Sequence, residues 1–175
     1  MSQPVGQIMQ IAYVVTDLDR ALEHWTKTVN VGPFFVLEGL EIIDQKYRGQ
    51  PSDVSLTIAL AYSGHMCVEL IKQNDDAPSV YRELLDRNPQ GGFHHWAIMT
   101  EDLESEISRF QSQGYAEAFS GKVVVGDAYA YMDTQQDLGG MIEIIKLNPA
   151  VHDLFANLES AAIGWDGSDP IRFPG

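Results

Sequence analysis

Apolar and polar positions follow one order along residues 10–34 and repeat it along 95–119. The first segment reads QIAYVVTDLDRALEHWTKTVNVGPF and the second HWAIMTEDLESEISRFQSQGYAEAF. At a constant offset (95 − 10 = 85), Gln10 falls on His95, Ala12 on Ala97 and Asp17-Leu18 on Asp102-Leu103. Trp25 falls on Phe110, and Phe34 on Phe119. Each half closes in an apolar run with a carboxylate inside it, Val68-Glu69-Leu70-Ile71 and Ile142-Glu143-Ile144-Ile145.

The pattern predicts the same elements in each half. Residues 8–15, rich in Ile, Tyr and Val, suit a largely buried strand. Thr16-Asp17 offers an N-cap, and Leu18, Ala21, Leu22, Trp25 and Val29 share one helical face until Gly32-Pro33 turns the chain. Segments 34–42 and 54–62 read as strands around a polar connection from Asp44 to Asp53, and 65–72 as the closing strand. The first half, residues 7–75, is thus a βαβββ module. Residues 76–90 read as a linker with a short helical pattern at Val80, Leu84 and Leu85. The second module, 91–147, repeats the order. A strand spans 93–100, and Asp102 caps a helix with Leu103, Ile107 and Phe110 inward, ending near Gly114. Strands near 115–119, 127–133 and 140–147 follow, with Asp137 to Gly140 as the turn before the last. The tail, 148–175, carries a helix with Val151, Leu154, Phe155, Leu158 and Ala162 on one face, then a turn-rich stretch. Its Trp165 and Phe173 predict docking on the body or on a second subunit. The fold class is α+β: two tandem βαβββ modules with a C-terminal helical tail.

Composition narrows the partners. The 175 residues are enough for a buried core, and 45% hydrophobic with 21% charged residues is ordinary for a globular protein. A net charge of −14 repels nucleic acid and anionic membrane surfaces, which excludes both as partners. The single cysteine, Cys67, excludes an intrachain disulfide and fits a reducing compartment. The start MSQPVGQIMQ lacks the pattern of a secretion signal, and no apolar run reaches membrane-spanning length, so a cytoplasmic protein is expected.

Strand alternation sorts the polar residues. Gln10, Ala12 and Val14 share one side, with Ile11, Tyr13 and Val15 opposite. His95, Ala97 and Met99 share one side of the equivalent strand. Glu69 and Glu143 face away from the apolar residues on either side of them. A carboxylate in such a strand either meets solvent or needs a partner, because burying it unpaired costs several kcal/mol or forces it to stay protonated. Equivalent positions in two repeats favour the partner, and Gln10, Glu69, His95 and Glu143 form a candidate metal site. By the same alternation His94 points to the other face, in a structural role. His24, His65 and His152 read as surface residues, and Cys67 as a small buried hydrophobe on the side of Glu69. No phosphate loop, nucleophile elbow, CxxC pair or HExxH helix is present.

The motifs QIAYVVTDLDRA, CVELIK, GGFHHWAIMTEDLE and GGMIEIIK, spread over about residues 7–147, resemble the vicinal oxygen chelate superfamily of glyoxalase I, methylmalonyl-CoA epimerase, extradiol dioxygenases and bleomycin-resistance proteins. The resemblance implies a U-shaped mixed sheet around a central cleft, with a divalent ion (Zn, Ni, Co or Mn) held by Gln10, Glu69, His95 and Glu143. GGFHHWAI looks most like the epimerase branch, and a Gln-Glu-His-Glu set is similar to that of animal glyoxalase I. The two-His-one-carboxylate set of Fe(II) dioxygenases is not met, since Gln10 stands where a second His would be needed.

Four protein ligands leave about two places in an octahedral shell for a substrate with neighbouring oxygens, such as a thioester or a thiol adduct. The implied activity is an isomerase or lyase that moves a proton next to a carbonyl through a metal-stabilised enediolate, with Glu143 or Glu69 as base. The alternative is a small-molecule binding protein of the bleomycin-resistance type, with Tyr47, Tyr62, Phe34, Phe35 and Tyr129 as pocket candidates. The cations Lys46, Arg48 and Lys122 are placed in loops and fit a surface role better than substrate binding. A homodimer is expected, with modules paired within one subunit or across two.

Overall fold

The computed structural model describes residues 6–123 and 128–173. The first residue of the strand expected from 127, the first five of the N-terminal segment read for a signal, and the last two of the tail lie outside the described residues. In order the chain forms β1 (Gln10–Val14), α1 (Leu18–Lys27), β2 (Phe34–Leu37), β3 (Ile42–Tyr47), β4 (Gln50–Pro51), β5 (Leu56–Ser63), β6 (Met66–Gln73) and α2 (Val80–Arg87). Then follow β7 (Gly92–Thr100), α3 (Leu103–Ser112), β8 (Glu117–Val123), β9 (Ala128–Met132), α4 (Gln135–Leu138), β10 (Met141–Lys146), α5 (Pro149–Ala162) and β11 (Ile171–Arg172).

All described strands join one mixed sheet in the order β11-β2-β5-β6-β1-β7-β10-β9-β8-β3-β4. The repeat is visible in it. β2-β5-β6-β1 of the first half is mirrored by β7-β10-β9-β8 of the second, and the halves meet where β1 runs antiparallel to β7. Connectivity bends this sheet. Eight strand steps separate β2 from β3, about 38 Å if the sheet were flat. Yet only residues 38–41 link them, a reach of about 17 Å. The sheet must curl until its ends approach, which yields the U and its cleft.

Each face of the curl is apolar for its own reason. On the convex side α1 covers the first half through Leu18 and Leu22, packed on Val68, Leu70 and Ala59. α3 covers the second half through Leu103, Ile107 and Phe110, packed on Ile142 and Ile144. Both helices are capped by the predicted aspartates: Asp17 accepts from the Arg20 amide at 3.0 Å and Asp102 from the Ser105 amide at 3.1 Å. The concave side holds a third cluster, including Ala12, Val14, Leu56, Leu60, Tyr81, Tyr129 and Tyr131.

Several expectations are corrected. The strand expected over 34–42 ends at Leu37, and the polar connection after it is a β-hairpin, β3–β4. β3 pairs with β8 of the other half, Ile42 opposite Val123 and Tyr47 opposite Phe119. Lys46 therefore lies on β3 and Lys122 on β8 rather than in loops. Val29 is exposed, because α1 ends at Lys27 and the chain leaves the helical face before it. The turn expected at 137–140 begins inside a short helix, α4, closed by Gly139 in the left-handed region. The tail docks on its own chain. α5 packs on β5, the Trp165 ring lies over Gly32, and β11 extends the sheet beside β2.

Arg48, in the β3–β4 turn, clamps that hairpin in place. It donates to both Glu83 oxygens of α2, at 2.6 and 2.9 Å, and to Asp133 at 2.9 Å. Burial alone would raise both carboxyls. The bonds from Arg48, with Tyr47 on Glu83 and Gln135 on Asp133, outweigh it and hold both below their usual range. Depressed carboxyls contribute stability above their unfolded pKa, about 4, and lose it as pH falls through the folded values. Arg48→Met should therefore cost about 1 kcal/mol at pH 7, discounted for the exposure of the guanidinium. Denaturant titration should find the gap closing below about pH 4. A gap of equal size at pH 7 and pH 3 would contradict this role.

Candidate metal centre

Four adjacent strands, β6-β1-β7-β10, form the floor of the cleft, and their registers bring the repeated polar residues to one point. Ala12 lies opposite Glu69 on β6 and His95 on β7, while Ala97 lies opposite Gln10 on β1 and Glu143 on β10. Directly opposed residues share a sheet face. The two alanines, fully buried, leave the space between the four longer side chains free. Gln10 Nε2 donates to Glu69 Oε2 at 2.9 Å and lies 3.4 Å from both His95 Nε2 and Glu143 Oε2. His95 Nε2 stands 3.2 Å from Glu143 Oε2 and 3.4 Å from Glu69 Oε2. The ligand atoms of Glu69, His95 and Glu143 all lie within 4.8 Å of one another. All four predicted side chains thus meet, and all are buried.

His94 departs from its expected place. Ala12 faces His95 but Tyr13 faces Phe93, so His94 is the extra residue of a β-bulge. The bulge suspends alternation, and both imidazoles reach the cleft side, each against the Tyr131 ring. His94 Nδ1 is 2.9 Å from His95 Nδ1, and its Nε2 makes a longer 3.4 Å contact with the Val80 carbonyl. Burial, then the neighbouring charge on His95, push His94 well below the usual value, so it is neutral and carries one proton. Its partners assign that proton to Nε2, facing the carbonyl. His94 Nδ1 then accepts from His95 Nδ1–H, and His95 Nε2 is the atom turned to the centre.

The electrostatics are those of a site short of positive charge. Burial raises the Glu69 carboxyl; the His95 hydrogen bond opposes this and the Glu143 charge adds to it. Burial would depress His95, but the charge of Glu143 and hydrogen bonds to both carboxylates hold it at about 9. One imidazolium faces two carboxylates in an apolar surround, an expensive arrangement. The amide supplies a further sign: Gln10 Oε1 is buried with no hydrogen-bond partner. A half-turn of that amide exchanges Nε2 for Oε1 at the centre. Two carboxylates, an imidazole Nε2 and an amide oxygen fit a divalent cation.

Above the centre lies an apolar cavity of about 120 Å³. Leu56, Ile58 and Leu60 form one wall, Tyr129 and Tyr131 the other, and Val151, Leu154 and Phe155 of α5 cover part of it. Of the aromatic pocket candidates only Tyr129 lines it. Phe34 packs in the convex cluster under α1, Phe35 lies beneath Arg172, and Tyr47 donates to Glu83 at 2.6 Å. Tyr62 is buried in the concave core, as is Cys67, whose thiol burial pushes well up. Arg48 and Lys122 are held in ion pairs away from the cavity, Lys122 with Asp44 at 2.8 Å. His24, His65 and His152 are exposed, His65 paired with Glu159 at 2.6 Å. Tyr81, Tyr131 and α5 were not singled out as cavity residues from the sequence. The apolar face of α5 was the signal available for the last.

Because burial and Glu143 raise the Glu69 carboxyl, its charge costs the metal-free protein stability above the unfolded carboxyl pKa, about 4. Glu69→Gln should raise the melting temperature of chelator-treated protein at pH 7 by about 2–4 °C, corresponding to about 1 kcal/mol. A lower melting temperature for that variant, measured by calorimetry with chelator, would contradict the charge imbalance.

Residues 9–131 match the family model described as the glyoxalase/bleomycin resistance protein/dioxygenase superfamily. The chain is 26% identical over 146 residues to a 2-epi-5-epi-valiolone epimerase from Actinomyces sp., covering 80% of this chain and 79% of that one. The fold is similar to that of methylmalonyl-CoA epimerase from Mycobacterium tuberculosis, with a TM-score of 0.59 and 17% identity over 87% of this chain and 97% of that one. A second methylmalonyl-CoA epimerase structure gives 0.52 and 18% over 82% and 97%. With the family match spanning most of its length, the chain belongs to the glyoxalase/bleomycin resistance protein/dioxygenase superfamily.

Proposed function

We infer that the chain is a divalent-metal-dependent isomerase of the epimerase type, moving a proton at a carbon next to a carbonyl. The observation that carries this reading is the buried Gln10, Glu69, His95 and Glu143 cluster, with an orphaned amide oxygen, at the floor of an apolar cavity. The 26% identical epimerase supports the choice of epimerisation over the lyase branch. Gln10 Oε1, His95 Nε2 and one oxygen each from Glu69 and Glu143 would hold the ion. When bound, the ion supplies Lewis-acid polarisation of a substrate carbonyl.

The remaining work falls to the chain. Glu69 on β6 and Glu143 on β10 approach the centre from opposite sides of the β1–β7 pair. Epimerisation needs a proton removed from one face of a carbon and one delivered to the other. One carboxylate accepts the proton on the oxygen not used for the ion. The opposite one, which enters the cycle protonated on its own free oxygen, delivers a proton and regains it by exchange with solvent between turnovers. His94 holds the His95 ring in orientation through the Nδ1 contact, and the apolar walls keep bulk water from the exposed carbanion.

A second reading, a binding protein without catalysis, draws on the same apolar cavity. Metal analysis separates the two. Protein purified without chelator should carry about one divalent ion per chain, lost in His95→Ala. Metal-loaded wild type should exchange the proton next to a substrate carbonyl with solvent deuterium, and Glu143→Gln should abolish exchange. No bound ion after reconstitution with Zn, Ni, Co and Mn would reject the metal-dependent enzyme, and full exchange in Glu143→Gln would remove Glu143 from the proton transfer.

His94 also has its own test. His94→Phe should lower metal affinity by 10–100-fold, about the loss expected when the partner of a ligating imidazole is removed. An unchanged affinity in a folded variant would remove His94 from the site.

A further inference from the structure

The cavity above the centre is chemically one-sided. Among the described residues lining it there is no lysine or arginine, and the only polar side chains are Gln10, Glu69, Glu143 and three tyrosines. Three of these six polar side chains, Gln10, Glu69 and Glu143, sit at the floor. Away from it the surface is hydrocarbon and phenol. The two walls are equivalent positions of the repeat filled differently: Leu60 lies opposite Glu69 and Ile58 opposite Ile71, whereas Tyr131 lies opposite Glu143 and Tyr129 opposite Ile145. A flat apolar body fits between an aliphatic wall and an aromatic one. Hydroxyl or phosphate groups on that body would lose water and find few partners.

Size limits the body further. An engineered cavity of about 150 Å³ in another protein admits one benzene molecule. At about 120 Å³ this one takes a single small ring or a short branched chain. The roof is part of the chain: Val151, Leu154 and Phe155 cover part of the space, which also opens to solvent, so carbons beyond the covered volume gain no further burial.

We propose that the substrate presents its neighbouring oxygens to the floor and buries a compact, uncharged hydrocarbon body of about five to seven carbons beneath α5. This rests on the reading of the floor as a metal centre, and it adds what that reading leaves open: the class of group beside the reacting carbon. The apolar walls disfavour a polyhydroxylated body, whose hydroxyls would find few partners there. A larger charged carrier, if the substrate has one, lies outside the roofed space.

Straight-chain hydroxamic acids supply the probe, because their two oxygens mimic the proposed pair while the chain varies. Dissociation constants are measured by calorimetry on zinc-loaded protein and by NMR on chelated protein. Each added methylene should tighten binding roughly fourfold up to about six carbons, as burial of a CH2 predicts. Cyclohexyl hydroxamic acid should equal or exceed the six-carbon chain, the ten-carbon chain should gain nothing further, and gluconohydroxamic acid should bind at least about 100-fold more weakly than its unsubstituted six-carbon counterpart. Leu154→Asp, a change at a roof residue that is 37% exposed and so tolerable to the fold, should flatten the series. Zinc-dependent binding with no dependence on chain length, tight gluconohydroxamate binding, or an unaltered series in Leu154→Asp would overturn the proposal and leave the centre standing. The chain-length series persisting unchanged with or without zinc would do the reverse, supporting the apolar class and removing the metal from its basis.

Discussion

Two carboxylates forced together out of water are the constraint around which this protein is organised. Glu69 and Glu143 lie at the bottom of an apolar cleft with one imidazole between them, and neither can turn to solvent, because the strands that carry them are the inner members of a curled sheet. Such a pair opposes folding unless the surrounding structure over-determines it. Here it does so with backbone. β6 and β10 are each paired on both edges, and α1 and α3 lock their convex sides through Leu70 and Ile144. A cation would relieve the repulsion at the centre, where four donor groups from four strands are already aimed.

The floor was legible in the sequence because it depends on two local regularities. Alternation gives the face of Gln10, Ala12 and Val14 without knowledge of their partners, and a constant offset pairs them with His95, Ala97 and Met99. Where a local rule was interrupted, the reading failed. His94 belongs to a bulge set by the register of β7 against β1, and a register is a property of two strands rather than of one. The hairpin β3–β4 was invisible for a similar reason. Asp44, Gln45 and Lys46 look like a polar connection, and their strand partner, β8, lies far along the chain. Strand β11 is two residues long and owes its existence to the edge of β2.

What could not be read from the repeat is also what distinguishes the halves. Gln10 and Glu69 are 59 residues apart, His95 and Glu143 only 48 (143 − 95 = 48), and the first half spends its extra length on the β3–β4 hairpin. That hairpin delivers Ile42 to the cavity, and the connection before it delivers Leu40. α5, outside the repeat altogether, delivers the roof. The floor is therefore built from elements present twice, and the roof and part of the wall from elements present once.

This division separates two demands that conflict in a single surface. A floor of converging donor groups needs polar side chains held together out of water, and an apolar enclosure needs volume matched to a ligand. Placing the first on paired inner strands makes its geometry resistant to changes elsewhere in the chain. Placing the second on a hairpin and a terminal helix lets cavity size change by substitution in elements that carry no donor group. Even within the repeat the same economy holds. Leu60 and Tyr131 stand at equivalent positions beside the two carboxylates, so a pseudo-symmetric centre is set between unlike walls. On the proposed epimerase reading, the two faces of one carbon must be treated differently enough to bind it in a defined orientation, yet a carboxylate offered to each. A symmetric floor under asymmetric walls satisfies both requirements.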